Sequence, residues 1–462
     1  MSHRQFVFLA GLFLCSCGDG PGTASDGTGQ NVVLITVDTL RADHLGCYGY
    51  FRPTSPRIDA LASESVLFEN CTVPMATTLP SHVSILTGTW PIEHGVLANV
   101  AHGGMAYKPT NALTSLSQAL TDCDYATAAF VSAKPLRLNS GIDKGFSHFD
   151  DPNAPQRRGA VTADRAIKWL AQHLREKNEQ PFFLWVHLFD PHDPFDPPSE
   201  YSSAFKAGAG LEAYLQERGF SDASARPGGR MVKTRESHDG YDGEILYTDE
   251  QVGHLLDELD RQGIRERTIV SLITDHGEGL GQHAEPGHGL IWDEQVRSAW
   301  LLRAPGLSAR RVTARVSTVD FLPTLLELLQ LPELGAFREQ LSGVDVLAAS
   351  FRGRPQFSQS SARLVEHGQP LVHSVSQGPW KLHWQDQEHR TLYNLETDPF
   401  ELKDVAASHP ERVEELQEIL LEHFVRLQAR SAKLGAAEEI VLDPSTLKAL
   451  QDLGYTGAEQ DD

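Results

Sequence analysis

The sequence predicts an α/β fold: a mostly parallel central sheet flanked by helices, followed by a small C-terminal α+β subdomain. Three observations support this. The continuous apolar, β-branched runs Asn31–Asp38, Pro181–Asp190 and Thr268–Asp275 suit strands buried on both faces of a parallel sheet. Helix-like stretches, Thr162–Arg175 and Asp249–Gln262, precede the second and third runs, giving the alternation of an α/β sheet. Past about residue 350 the pattern shifts to short strands near Leu371–Ser376, Trp380–Trp384 and Thr391–Leu395, then a charged helix from about Pro410 to Lys433.

The first residues depart from globular composition. Arg4 precedes an apolar run, Phe6–Leu14, which is too short to span a bilayer and fits the core of a secretory signal. The run closes on Leu14-Cys15-Ser16-Cys17, which resembles a bacterial lipobox with Cys17 as the lipidated residue. The expected location is therefore outside a bacterial cytoplasm, in the periplasm or at the cell surface, with a lipid anchor as the only membrane contact. The expected organisation is a signal at 1–17, a flexible Gly/Ser/Thr/Asp tether at 18–30, a main domain at 31–350, a subdomain at 351–434 and a polar tail at 435–462. With Cys17 lipidated, Cys47, Cys71 and Cys123 allow at most one disulfide, so no disulfide scaffold holds the fold. A net charge of −22 argues against a nucleic-acid surface, which needs clustered Lys and Arg.

The strand ends carry the chemistry. Asp38 follows the first strand, and Asp275-His276-Gly277 closes the third. A buried carboxylate is costly unless paired or bound to a cation, so carboxylates converging on one sheet edge point to a metal. Oxygen ligands with one imidazole suit calcium, magnesium, manganese or zinc. Taken singly, each Asp also fits a turn or a helix cap. In Ala76-Thr77-Thr78-Leu79-Pro80-Ser81-His82, Pro80 suits the first turn of a helix and Thr78 stands just before its start. A hydroxyl there lies near unpaired N–H groups, and cation coordination would activate it as a nucleophile. A plain Thr cap fits the same residues.

Read together, these motifs resemble sulfatases of the alkaline phosphatase superfamily. That family opens with an apolar strand ending in Asp, as in Leu34-Ile-Thr-Val-Asp38-Thr-Leu-Arg, then carries Cys-x-Pro-Ser-Arg before a helix ending Leu-Thr-Gly; here the segment reads Thr78-Leu-Pro80-Ser81-His82 and ends Leu86-Thr87-Gly88. Pro191-His192-Asp-Pro, Tyr241-Asp-Gly-Glu, Asp275-His276-Gly-Glu278, Asp320-Phe-Leu-Pro-Thr324 and Leu392-Tyr-Asn-Leu-Glu-Thr-Asp-Pro399 extend the likeness from about residue 31 to 455. The resemblance implies a sulfatase-like fold and a divalent metal, calcium by family habit with zinc or manganese as alternatives. Asp38, Asp275, His276 and Thr78 would touch the metal. Thr78 and His192 would be catalytic, and His82, Lys134 and His288 would meet the anionic substrate, a small-molecule or glycan ester.

The departures from the family pattern carry their own message. The family converts its cysteine to formylglycine, whereas oxidation of Thr78 would give a ketone, so the implied nucleophile is an unmodified, metal-activated alcohol. His82 replaces an arginine, Thr39 follows Asp38 where a second carboxylate is common, and His288 stands where a lysine is expected. Asp190, His192, His283 and His288 could hold a second metal in place of that lysine's charge. Sulfate-ester hydrolysis is the leading expectation. Phosphodiester or phosphonate monoester hydrolysis on the same fold is its rival, and a non-catalytic binding protein is the alternative from another class. The stretch from about Tyr201 to Gly240 is expected to form a variable substrate wall.

Overall fold

The computed structural model describes residues 29–101, 105–177, 179–205, 210–220, 234–331 and 334–453. The signal, Cys17, nearly all of the tether and much of the expected substrate wall lie outside the described residues. No helix among the described residues is long and apolar enough to cross a membrane.

The strands of the main domain are Asn31–Val37 (β1), Val66–Thr72 (β2), Met105–Lys108 (β3), Ala126–Val131 (β4), His148–Asp150 (β5), Phe182–Leu188 (β6), Thr268–Thr274 (β7), Arg297–Arg303 (β8), Arg310–Val312 (β9) and Val316–Ser317 (β10). All but β3 form a central sheet in the order β10-β2-β8-β7-β1-β6-β4-β5, with β9 also on β2. The pairs are parallel except where β8 meets β2 and β7. This is the mostly parallel α/β sheet that the apolar runs predict.

Every residue of β1, β6 and β7 is buried, and their side chains alternate between two cores. Val32, Leu34, Phe183 and Trp185 face one core, where they meet Leu79, Val83 and Leu86 of the helix Thr78–Thr87. Val33, Ile35, Val37, Leu184 and Val186 face the other, packed against Tyr241, Ile245 and Val252 of the helix Thr234–Arg261. Each such buried aliphatic side chain contributes roughly 1.5–3 kcal/mol. Register then places the site: Val37 lies opposite Leu188 on one side and Thr274 on the other. The three chains therefore leave the sheet side by side at their carboxyl ends.

The C-terminal unit is an antiparallel sheet of Gln356–Ser360 (β11), Val372–Gln377 (β12), Trp380–Trp384 (β13) and Arg390–Asn394 (β14). The helix Pro410–Leu434 covers it through Val413, Leu416, Leu420 and Leu427. The polar tail holds more structure than its composition predicts. Glu438–Val441 (β15) pairs antiparallel with β3, and Leu442 and Leu450 pack with Val100 and Ala106. Main-chain pairing does not require apolar side chains, so composition alone understates this strand.

Candidate active site

Asp38 and Asp275 extend β1 and β7. The Asp38 N–H donates to Leu188 O at 2.9 Å, and the Asp275 N–H donates to Val37 O at 3.3 Å. Asp275 Oδ1 accepts from the N–H groups of Thr39 (3.2 Å) and His276 (2.8 Å). Thr39 sits at φ 52°, a left-handed conformation unusual for a β-branched residue. Its carbonyl accepts from the Tyr241 hydroxyl at 2.6 Å, which helps to hold that turn. Gly277 has no room for a side chain, since a β-carbon would lie 2.0 Å from Glu294 O.

Asp38, Asp275 and His276 bring one ligand atom each within 4.8 Å of one another, and all three side chains are fully buried. Asp38 Oδ1, Asp275 Oδ2 and His276 Nε2 have no hydrogen-bond partner. The His276 ring is 3.0 Å from Gly277 O through Nδ1, so Nδ1 carries the proton and Nε2 presents a lone pair to the two carboxylates. A lone pair facing two ionised carboxylates would be repelled, and a divalent cation between them would remove that repulsion. Burial and the charge of Asp38 hold Asp275 well above the usual carboxylate range. Burial also opposes ionisation of Asp38, but His187 and His276 outweigh it and hold Asp38 below that range. The two acids therefore cannot both ionise comfortably without a cation. Two carboxylates and one imidazole fit calcium, manganese or zinc.

Thr78 opens a buried helix that is stitched to this cluster. Ser81 Oγ donates to Asp275 O at 2.7 Å, and Asn99 Oδ1 accepts from Leu79 N at 2.7 Å. His82, expected at the substrate, lies instead inside the protein. A polar relay explains its position. Trp185 Nε1 donates to Thr36 Oγ1 (2.9 Å), Thr36 donates to His82 Nε2 (2.9 Å), and His82 Nδ1 donates to Thr78 O (2.8 Å). Burial lowers the pKa of this imidazole to about 3, so it is neutral and braces the Thr78 turn.

The remaining predicted residues divide. His192 and His288 converge, with Nε2 atoms 3.3 Å apart, and the His288 ring lies 4.4 Å from that of His276. Asp190 does not join them. Its carboxylate accepts from Gly159 N at 2.9 Å, at the start of the helix Gly159–Glu176, and burial raises its pKa to about 6. His283 stacks on Trp292 at 3.8 Å, with Nδ1 3.1 Å from Glu294 Oε1, in a polar cluster that includes Glu401. Lys134 pairs with Asp151 at 3.2 Å.

Sequence reasoning missed His187, whose Nε2 lies 3.3 Å from Asp38 Oδ2, and Asn99. A histidine inside the otherwise apolar run of β6 was the available signal. The C-terminal sheet also buttresses the site, since Gln359 N donates to Pro74 O, Ser358 Oγ donates to Val73 O and Ser360 Oγ donates to Gly289 O. A cavity of about 1060 Å³ is lined by Arg41, Asp43, Tyr50, Tyr214, Arg218 and Arg297 among others, but not by Thr78, Asp38 or His276.

A mostly parallel sheet with a ligand cluster at the carboxyl ends of its central strands, a helix starting on Thr78 and a C-terminal antiparallel unit defines a hydrolase of the alkaline phosphatase type. Residues 30–331 match the sulfatase family model, and the chain belongs to the sulfatase family of sulfuric ester hydrolases. An ulvan-active sulfatase from Formosa agariphila is 28% identical over 70% of this chain and 67% of its own length. An arylsulfatase from Clostridium perfringens is 24% identical over 85% of this chain and 94% of its own. The phosphonate monoester hydrolase of Agrobacterium radiobacter shares the fold with a TM-score of 0.69, at 21% identity over 87% of this chain and 96% of that one.

Proposed function

We propose that this protein is a metal-dependent hydrolase of sulfate esters, with Thr78 as an unmodified alcohol nucleophile and a divalent cation held by Asp38, Asp275 and His276. The observation that carries this reading is the set of three buried, unpartnered ligand atoms beside the helix that Thr78 opens. A bound cation would polarise the ester's non-bridging oxygens and lower the pKa of the Thr78 hydroxyl.

Thr78 Oγ1 attacks sulfur, an O–S bond forms, and the S–O bond to the leaving group breaks, the Thr78 proton ending on the departing oxygen so that it leaves as the alcohol. Water then attacks the sulfo-threonine, releasing sulfate and restoring the hydroxyl. His82, Asn99 and Ser81 hold the helix turn on which the nucleophile rides. His192 is held through Nδ1, 2.7 Å from Asp193 O, with its Nε2 turned toward His288.

One observation favours a second reading, hydrolysis of phosphodiesters or phosphonate monoesters: the nucleophile position holds a hydroxyl that cannot become formylglycine. The ulvan-active relative supports a glycan sulfate as substrate. Leu14-Cys15-Ser16-Cys17 supports export with Cys17 lipidated and a site that works outside the cytoplasm on a lipid anchor. Rates on aryl sulfates, sulfated oligosaccharides and aryl phosphodiesters, with calcium, manganese or zinc, test the assignment. Turnover of sulfate esters in the wild type and its loss in Thr78→Ala is the expected result. Turnover of phosphodiesters alone would move the assignment to the rival chemistry.

A further inference from the structure

A cleft of about 650 Å³ lies between the edge of the main sheet and the C-terminal unit, and its charged lining among the described residues is Arg297, Arg315, Arg352, Arg354, Asp293 and Glu396. Arg354 is matched by the buried Asp320. The other three arginines form no ion pair among the described residues, and their hydrogen bonds run to main-chain carbonyls. Arg297 Nε and Nη2 donate to Glu69 O at 3.3 and 2.9 Å, and Arg315 Nε donates to Gly378 O at 3.1 Å. Arg352 Nη1 donates to Ala349 O and Phe351 O at 2.6 and 2.8 Å. Each guanidinium is thus fixed on one side and keeps terminal N–H groups for another acceptor.

The cleft is braced from behind. Gln356, almost fully buried, donates through Nε2 to Arg315 O at 3.2 Å and to Arg354 O at 3.0 Å, which ties the two arginine-bearing segments together. Gly353, at φ 89°, has its β-carbon position 3.3 Å from Arg315 N, so the 352–354 turn lies directly on the segment that leads into β10. Two acids cannot match three cations here, and Asp293 is shared with Lys381, 3.6 Å away. Burial holds Arg315 below the usual guanidinium range, and Arg297 pushes the same way against Asp293. An anion between these arginines relieves that cost, and their planar forks suit the oxygens of a sulfate or a carboxylate. On a chain of net charge −22 the grouping stands apart from the rest of the surface.

The cleft also flanks the catalytic cluster. β8 runs antiparallel to β7, with Trp300 opposite Ile273, so Arg297 stands at the edge from which Asp275 emerges. β10 lies beyond β8 and β2 on that side of the sheet. We infer that Arg297, Arg315 and Arg352 form an anion-binding site that seats a sulfate or carboxylate group of a polyanionic glycan, apart from the ester cleaved at Thr78. The inference rests on the reading that a glycan sulfate is hydrolysed there, and it defines the substrate class as glycans with more than one anionic group.

Calorimetric binding of a size-defined dextran sulfate to the full chain tests the site, with unsulfated dextran of the same length and sodium sulfate as parallel probes. Wild type should bind dextran sulfate and not dextran. Arg315→Gln and Arg352→Gln should each weaken binding by about tenfold or more. Arg310→Gln, which removes an exposed arginine outside the cleft, should leave it unchanged. Arg352 is exposed, so its variant probes the site without endangering the fold, and circular dichroism checks the others. Turnover of a small aryl sulfate should be the same in all of them. Equal losses in Arg310→Gln and in the cleft variants would reduce the effect to overall charge and overturn the site. Sodium sulfate binding as tightly as dextran sulfate would overturn the glycan as its ligand. Arginine-dependent binding of dextran sulfate by a wild type that hydrolyses no sulfate ester would sink the proposed function and leave the anion site standing.

Discussion

His187 Nε2 donates to Asp38 Oδ2 at 3.3 Å, between side chains that are both fully buried. Ser132 N donates to His187 Nδ1 at 3.3 Å, which leaves the ring proton on Nε2. His187 therefore orients one carboxylate oxygen while the other remains available to a cation. Outer contacts of this kind are typically worth 10–100-fold in metal affinity. His187→Phe should weaken metal binding by about that factor while Asp38 and His276 remain in place. Calorimetric titration of the metal-free variant reads this directly, and an unchanged Kd with a lowered Tm would mark His187 as merely structural.

Asn99 holds the backbone N–H next to the nucleophile, and its Nδ2 is buried without a partner. Asn99→Ala should lower kcat by about 10–100-fold, in line with removal of one positioning contact worth about 1.5–3 kcal/mol. KM should change less than kcat. A rise in KM with constant kcat would show that Asn99 binds substrate without positioning Thr78.

Chelation should destabilise the fold as well as stop turnover. An ion held by the native cluster and not by the unfolded chain stabilises by about 2.7 kcal/mol at a hundred times its Kd. The Tm should fall on addition of EDTA and recover with excess metal. A Tm indifferent to EDTA would contradict a cation bound to Asp38, Asp275 and His276.

Acid sensitivity has a separate source. His423 stacks on Phe357 at 3.7 Å in the C-terminal unit, and burial lowers its pKa from 6.5 to about 3. The unfolded chain takes up this proton before the folded one, so stability present above the unfolded pKa is lost as pH falls from 6.5 toward about 3. Between about pH 6.5 and about pH 5 the loss from this residue is about 2 kcal/mol. His423→Phe should flatten that part of a denaturation profile; an identical slope would mean that the ring is not protonated on unfolding.

Much of this site was legible because polar residues at the ends of long apolar runs have few other roles. Asp38 and Asp275 lie on adjacent strands, and register brings them together. Asp190 shows where that reasoning stops. It too follows an apolar strand, but the turn after Leu188 directs its carboxylate to the helix start at Gly159, which no local pattern encodes. His82 and His283 look like site histidines for the same reason, yet long-range partners, Thr36 and Glu401, decide their positions. The pairing of β15 with β3 likewise joins segments more than three hundred residues apart. His187 was obscured by the opposite effect, since an apolar context reads as core.

The central claim is that Thr78 is the nucleophile, and sulfate-ester turnover by Thr78→Ala at matched metal content and Tm tests it most directly. Loss of at least about a thousandfold in kcat/KM, with metal stoichiometry unchanged, is the predicted result. Activity within about tenfold of wild type would contradict it, because a chain that hydrolyses the ester without this hydroxyl does not form a sulfo-threonine there.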